Sequence, residues 1–111
     1  MKHILFTLYD CDRDLLNDRM YIENVLYETA NQCGATWLNT VSHQFTPQGV
    51  TAVTLLAESH ISIHTWPENG LAVCDVFTCG EHTNPRSGAT YMYEAMGATD
   101  LVSETFTRPL K

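Results

Sequence analysis

The sequence predicts an α+β fold: a two-layer sandwich with a mainly antiparallel sheet and two helices on one face. Its 111 residues suffice for one domain with its own core, so a single domain over residues 1–111 is expected. A helical pattern near the start and another near the end enclose four consecutive segments of period two. So many direct strand-to-strand links argue against a parallel doubly wound sheet, and the predicted order is β-α-β-β-β-β-α-β.

The first strand and the first helix carry the clearest patterns. Residues 2–9 are rich in apolar and aromatic side chains that alternate, which indicates a strand. Helical spacing then begins after Asn17 or Asp18, either of which can accept a hydrogen bond from a free N–H group of the first turn. Gly34 follows the last helical position, where a left-handed residue commonly ends a helix.

Four strands are predicted between the two helices, separated by the turn sequences TPQG and PENG. The predicted strand ranges are 35–44, 50–57, 60–66 and 71–78. A second helix is expected to begin at Asn84, with Pro85 in its first turn, and to end at Gly97. Residues 100–107 form the last predicted strand.

Composition and charge exclude several classes of function. The formal net charge is −7, which argues against a nucleic-acid partner and against docking on anionic lipid. Apolar runs stay well below the roughly 20 residues that a membrane helix needs, and the acidic start does not look like a secretory signal. Four cysteines without such a signal are expected to be reduced, which predicts a cytoplasmic protein.

The densest functional signal is the segment ESHISIHTWPENG at residues 58–70. Alternation along a strand puts His60, Ser62, His64 and Trp66 on one face and the apolar residues on the other. Two imidazoles beside a serine and a carboxylate are uncommon on a strand that has only a structural role. Residue types alone leave three interpretations open.

The first interpretation is a metal site, since nitrogen and sulfur ligands are available. The candidate ligands are His60, His64, Cys74, Cys79 and His82. Strand residues four apart lie about 13 Å from one another, so His60 and His64 are poor ligands for the same ion. The second is a hydrolytic serine–histidine pair, which lacks a G-x-S-x-G motif here. In the third, Ser59 attacks its own backbone, His64 moves protons and Cys79 acts as an acid.

The same segment, followed by LAVCDVFTCG, strongly resembles the S-adenosylmethionine decarboxylase family in its short bacterial and archaeal form. Its two signature motifs stand in order, at residues 58–68 and 75–80. The likeness extends over nearly the whole chain, including the segment 43–45 and the Asn-Pro helix start. The resemblance implies a pyruvoyl-dependent enzyme that releases CO₂ from S-adenosylmethionine, yielding the aminopropyl donor of spermidine synthesis.

By this resemblance the chain is a proenzyme that cuts itself between Glu58 and Ser59, giving a β chain 1–58 and an α chain 59–111. Ser59 becomes the pyruvoyl group that forms a Schiff base with substrate, so neither pyridoxal phosphate nor a metal is implied. His64 transfers protons during processing, and Thr51 lies where many members have a serine that aids processing. Ser59 and His64 are an odd number of residues apart, so their side chains would point to opposite faces of a straight strand. A bend or bulge at residues 58–59 that turns Ser59 round is therefore expected.

The resemblance also implies substrate contacts and an assembly. Cys79 is the proton donor in decarboxylation, Phe45 stacks on the adenine and Glu68 binds the ribose hydroxyls. A homodimer with sites built from both protomers is implied. The alternatives are a pyruvoyl-dependent arginine or ornithine decarboxylase and a non-catalytic regulatory homologue. Intact Ser59, His64 and Cys79 favour an enzyme.

Overall fold

A computed structural model describes residues 1–109 and has a six-stranded sheet in which all neighbouring strands pair antiparallel. The order across the sheet is β2-β3-β4-β5-β1-β6. The strands are β1 (Lys2–Tyr9), β2 (Trp37–Gln44), β3 (Val50–Leu56), β4 (Ser59–Trp66), β5 (Leu71–Thr78) and β6 (Asp100–Thr107). The helices are α1 (Arg13–Leu16), α2 (Arg19–Cys33) and α3 (Pro85–Ala95). The α+β prediction is confirmed.

The ends of the two long helices follow the sequence signals. The Asp18 side chain accepts a hydrogen bond from the Tyr21 N–H at 3.0 Å and so caps α2, which ends at Gly34 with φ 75°. The Asn84 side chain caps α3 and accepts from the Arg86 N–H at 3.0 Å.

Two short elements and some strand ends differ from the prediction. The α1 helix forms because the Asp12 carboxylate accepts from two backbone N–H groups, but one turn is too short to show a helical period. A 3₁₀ helix occupies Pro67–Asn69 in the predicted PENG turn. Strand β2 begins at Trp37 rather than at 35, and its register with β3 shifts between Trp37 and Asn39.

The core lies between one face of the sheet and the helices α2 and α3. Its largest fully buried side chains include Leu26, Ile61, Ile63 and Met92. The two helices approach closely at Gly88, where a Cβ would lie 2.4 Å from the Cys33 Sγ. A side chain at this position would clash, so the glycine allows the close contact between the helices even though it disfavours helix formation locally.

The opposite face of the sheet carries no helix within the described residues and is called the open face below. As predicted, His60, Ser62 and His64 point to it while Ile61 and Ile63 are buried on the helix side. Exposed apolar side chains surround these polar groups: Leu5, Val41, Leu55, Val73, Val102 and Phe106.

Among residues 1–109, the helices are too short or too polar to cross a bilayer.

Candidate active site

The Glu58–Ser59 peptide lies in the tight turn that joins β3 to β4. Glu58 has φ 66°, a left-handed conformation that costs a residue with a Cβ roughly 1–2 kcal/mol. The chain turns at Glu58, but the bend or bulge expected to bring Ser59 to the face of His64 is not found. Strand β4 pairs with β3 without a register shift from Ser59 to His64, so these two residues still alternate to opposite faces of the strand. Backbone strain of this kind is concentrated at functional sites.

Cys79, the first residue after β5, contacts both sides of this peptide. Its backbone N–H donates a hydrogen bond to Ser59 Oγ at 3.1 Å. Its thiol donates to the carbonyl oxygen of Glu58, also at 3.1 Å. Cys79 thus touches both the hydroxyl of Ser59, predicted to attack its own backbone, and the carbonyl oxygen of the peptide before it.

The four cysteines are free, and they differ in environment. Burial raises the pKa of Cys11 and of Cys33 to about 11, and it raises the pKa of Cys74 well above 9.0. Cys79 is partly exposed. Because the thiolate is the reactive form, the three buried thiols are poorly suited to react with molecules from solvent.

We expect iodoacetamide to alkylate Cys79 at least tenfold faster than the other three thiols in the folded protein. The first carbamidomethyl group should appear on the peptide containing Cys79, as read by mass spectrometry after short exposures at neutral pH. Unfolding in guanidinium is the control and should make the four rates similar. First labelling at a buried cysteine would contradict the environment described for Cys79.

A cleft of about 1080 Å³ opens beside this peptide. Glu58, Ser59 and Cys79 line it together with the loop that contains His82. Its volume is at the upper end of the sizes usual for small-molecule sites, about 300–1,000 Å³.

His64 and Thr51 form a second group, in the middle of the open face. They are direct partners across β3 and β4, and His64 Nδ1 lies 3.1 Å from Thr51 Oγ1. His64 lies five positions after Ser59 on β4, which corresponds to roughly 16 Å at about 3.3 Å per residue. One protomer therefore does not bring His64 to the peptide that it was predicted to process.

Phe45 and Glu68 form a third group, at the end of β4 opposite to Ser59. Phe45 is 47% exposed, and its ring packs against His43 with centroids 4.6 Å apart. A Cβ at Gly49 would lie 3.9 Å from Pro67 and 4.0 Å from Phe45, so the ring is next to the segment that carries Glu68. The Arg13 guanidinium anchors that segment by donating to the Glu68 carbonyl oxygen at 2.8 Å.

A polar cluster on the open face was not predicted as a unit. Asp75 Oδ2 accepts from His3 Nε2 at 2.6 Å and from His60 Nε2 at 2.8 Å, while Ser62 donates to Oδ1. Burial alone would raise the pKa of Asp75, but these hydrogen bonds hold it below its usual 3.8. The one acidic residue of the apolar strand LAVCDVFT, Asp75, was the sequence signal that could have indicated this cluster. Its partner His3 could not be predicted in the same way, because the contact depends on β1 lying next to β5 in the sheet.

The metal ligands considered from residue types are not brought together. Cys74 is buried on the helix side of the sheet, while His60 and His64 belong to different groups on the open face. The hydrolytic pair is not formed either, because Ser62 bonds to Asp75 and the hydroxyl of Ser59 accepts from a backbone N–H.

A solved structure first defines the class of protein. The chain superimposes on the crystal structure of the adenosylmethionine decarboxylase from Aquifex aeolicus VF5 with a TM-score of 0.89 and 35% identity, covering 99% of this chain and 91% of that one. The shared architecture is the antiparallel α+β sandwich described above.

Sequence relatives then give the family. The family model described as S-adenosylmethionine decarboxylase matches residues 2–109. The S-adenosylmethionine decarboxylase proenzyme of Prochlorococcus marinus (strain MIT 9313) is 48% identical over 96% of this chain and 86% of its own length. That of Clostridium tetani (strain Massachusetts / E88) is 43% identical over 96% and 85%. The chain belongs to the S-adenosylmethionine decarboxylase family, which confirms the resemblance found in its motifs.

Proposed function

We propose that this protein is a self-processing enzyme that decarboxylates S-adenosylmethionine with a pyruvoyl group made from Ser59. The observation that carries this proposal is the position of Cys79, whose N–H and thiol contact Ser59 Oγ and the Glu58 carbonyl oxygen. The names of the relatives, proenzymes of S-adenosylmethionine decarboxylase, support both the substrate and the processing.

Processing would begin when the Ser59 hydroxyl attacks the Glu58 carbonyl carbon. The C–N bond breaks as the ester C–O bond forms, and the hydroxyl proton passes to the released amine. Negative charge develops on the Glu58 oxygen, where the thiol of Cys79 already donates a hydrogen bond. The left-handed turn at Glu58 adds strain that the acyl shift would relieve.

His64 would act in the next step, as the base that removes the α-proton of Ser59. Elimination then expels the Glu58 carboxylate, and water converts the remaining dehydroalanine to the pyruvoyl group with loss of ammonia. Contact with Thr51 engages Nδ1 of the imidazole, so proton transfer would use Nε2. Thr51 is a positioning residue in this scheme.

The separation of these groups supports a site built from two protomers. Ser59 and His64 are roughly 16 Å apart in one chain, too far for direct proton transfer. A twofold axis between two facing sheets, perpendicular to their strands, would set the Ser59 end of one β4 over the His64 and Phe45 half of the other. Each dimer would then hold two sites, with Ser59 and Cys79 from one protomer and Thr51, His64, Phe45 and Glu68 from its partner.

The open face has the composition of an interface for such a homodimer. Its centre is polar and hydrogen-bonded through Asp75, and apolar side chains such as Leu5, Val73 and Val102 are 38–58% exposed around it. Contiguous exposed apolar surface is uncommon on soluble monomers. Two such faces packed about 10 Å apart would bury these side chains.

In the mature site each side chain would have a separate task. The pyruvoyl ketone supplies an electron sink for the electrons left when CO₂ departs, so pyridoxal phosphate and metal are not required. The Cys79 thiol would return a proton to the α-carbon. Phe45 would stack on the adenine, and the two oxygens of the Glu68 carboxylate would bind the ribose hydroxyls. The product would serve spermidine synthesis in the cytoplasm.

We expect Phe45→Ala and Glu68→Gln each to lower kcat/KM for S-adenosylmethionine by about tenfold or more while self-cleavage stays normal. Base–aromatic stacking contributes about 1–3 kcal/mol, and hydrogen bonds to charged groups about as much. Release of ¹⁴CO₂ from labelled S-adenosylmethionine measures turnover, and Glu94→Gln on the exposed side of α3 is the matched control.

The same assay with arginine and ornithine tests the alternative decarboxylases. Neither amino acid carries a nucleoside, so its turnover would be insensitive to Phe45→Ala. Release of CO₂ from arginine or ornithine alone would replace the proposed substrate. A cut chain that releases CO₂ from none of the three would favour a regulatory homologue.

A further inference from the structure

The polar cluster on the open face has the makeup of a metal site. Three side chains from the neighbouring strands β4, β5 and β1 converge there: His60, Asp75 and His3. Their nearest ligand atoms, two Nε2 and one carboxylate oxygen, lie within 4.8 Å of one another. We infer that His3, His60 and Asp75 bind a divalent transition-metal ion of the zinc class.

Register explains why the cluster forms. Phe77 is the direct cross-strand partner of His3 on one side and of His60 on the other. Asp75 stands two residues before it on the same face, between the two histidines. The Phe77 ring packs against both imidazoles, with centroids 5.1 and 5.8 Å away, and this limits their freedom to rotate.

The ligand set and its support suit zinc. Two imidazole nitrogens and one carboxylate oxygen leave a fourth tetrahedral position for water or another ligand. Ser62 holds the second carboxylate oxygen of Asp75, which is the kind of outer contact that orients metal-ligating carboxylates. The three ligands sit on paired strands rather than on loops, so their backbone is rigid.

Distances allow the ion with a small adjustment. Bonds of about 2.0–2.2 Å place tetrahedral ligand atoms roughly 3.3 Å apart. The nitrogens now lie 2.6 and 2.8 Å from Asp75 Oδ2 because they hydrogen-bond to it directly. Each imidazole nitrogen would have to move away from Asp75 Oδ2 by well under 1 Å, so that the hydrogen bond between them is replaced by bonds to the metal ion. The formal net charge of −7 favours the approach of a cation.

An ion at this position would also join two parts of the chain. His3 lies before Glu58, whereas His60 and Asp75 lie after Ser59. If the chain is cut as proposed above, the ion would link the two fragments across β1, β5 and β4. Binding of the ion does not depend on that cut.

We test the inference by equilibrium dialysis of chelator-treated protein against zinc, with metal and protein measured in the same samples. One zinc per chain is expected, and Asp75→Asn and His3→Ala should each weaken binding by at least tenfold. Ser62→Ala should weaken it by about 10–100-fold, the range for lost outer-shell contacts. The matched control is His82→Gln, which changes an exposed histidine outside the cluster and should bind zinc normally.

Cobalt replaces zinc in a second measurement, because four free cysteines could bind metal elsewhere. Visible bands of tetrahedral cobalt without sulfur-to-cobalt charge transfer are expected, and Asp75→Asn should abolish them. Running both measurements on the uncut variant Ser59→Ala separates metal binding from processing. Binding that survives in folded Asp75→Asn, that is sulfur-ligated, or that is absent from the wild-type protein would overturn the inference.

Discussion

Replacing Ser59 with alanine is expected to leave the protein as one uncut chain without decarboxylase activity. The alanine lacks the hydroxyl that we propose attacks the Glu58 carbonyl, and without that attack no pyruvoyl group would form. The wild-type protein should instead give two chains of 58 and 53 residues, the second blocked at its amino terminus. Intact mass and amino-terminal sequencing read the result directly.

The control for this variant is Ser103→Ala, on β6 and distant from the turn at Glu58. It should be cut to the same extent as the wild type, since loss of a hydroxyl elsewhere in the sheet changes neither reacting atom. A single full-length wild-type species that still releases CO₂ would contradict the pyruvoyl mechanism, whatever the variants do.

The second expected result concerns His64 and distinguishes processing within one chain from processing between protomers. Alone, His64→Ala should be cut at least tenfold more slowly and should accumulate the ester, because it lacks the base proposed to remove the α-proton. Hydroxylamine cleaves esters and should split the accumulated species between Glu58 and Ser59. Peptide mass spectrometry identifies the cleavage position.

Co-expression of His64→Ala with Ser59→Ala, under different affinity tags, then provides the decisive comparison. In a mixed dimer the His64→Ala chain still has its serine, and the Ser59→Ala partner supplies the imidazole. Cutting of the His64→Ala chain should therefore be restored in mixed dimers, while the Ser59→Ala chain stays whole. If neither chain is cut in purified mixed dimers, His64 acts within its own protomer or has another role.

Much of the fold could be predicted from local sequence signals. Asp18, Gly34 and Asn84 act on N–H and C=O groups a few residues away, so their roles need no knowledge of the rest of the chain. The alternation of ESHISIH likewise requires only that the segment be a strand, and His60 and His64 lie on the open face as expected. The one-turn helix α1 was not predicted, because its four residues are too few to show a helical period.

The polar cluster around Asp75 was harder to predict, because its contacts depend on which strands are neighbours in the sheet. His3 and Asp75 are 72 residues apart and meet only because β1 pairs with β5. Ser59 and His64 are an odd number of residues apart, which suggested a bend that would turn Ser59 to the face of His64. Their spacing of five strand residues already meant a separation that a local bend cannot close.

Strand order has a consequence for how the two fragments would hold together if the chain is cut as proposed. Fragment 1–58 would contain β1, β2 and β3, and the other fragment β4, β5 and β6, yet the sheet runs β2-β3-β4-β5-β1-β6. The two pieces are interleaved: β1 is held on both sides by strands of the other piece. Neither piece alone could therefore assemble the six-stranded sheet. A cut protein would be a two-chain complex whose recovery from denaturation depends on concentration, whereas the uncut chain would refold as a single molecule.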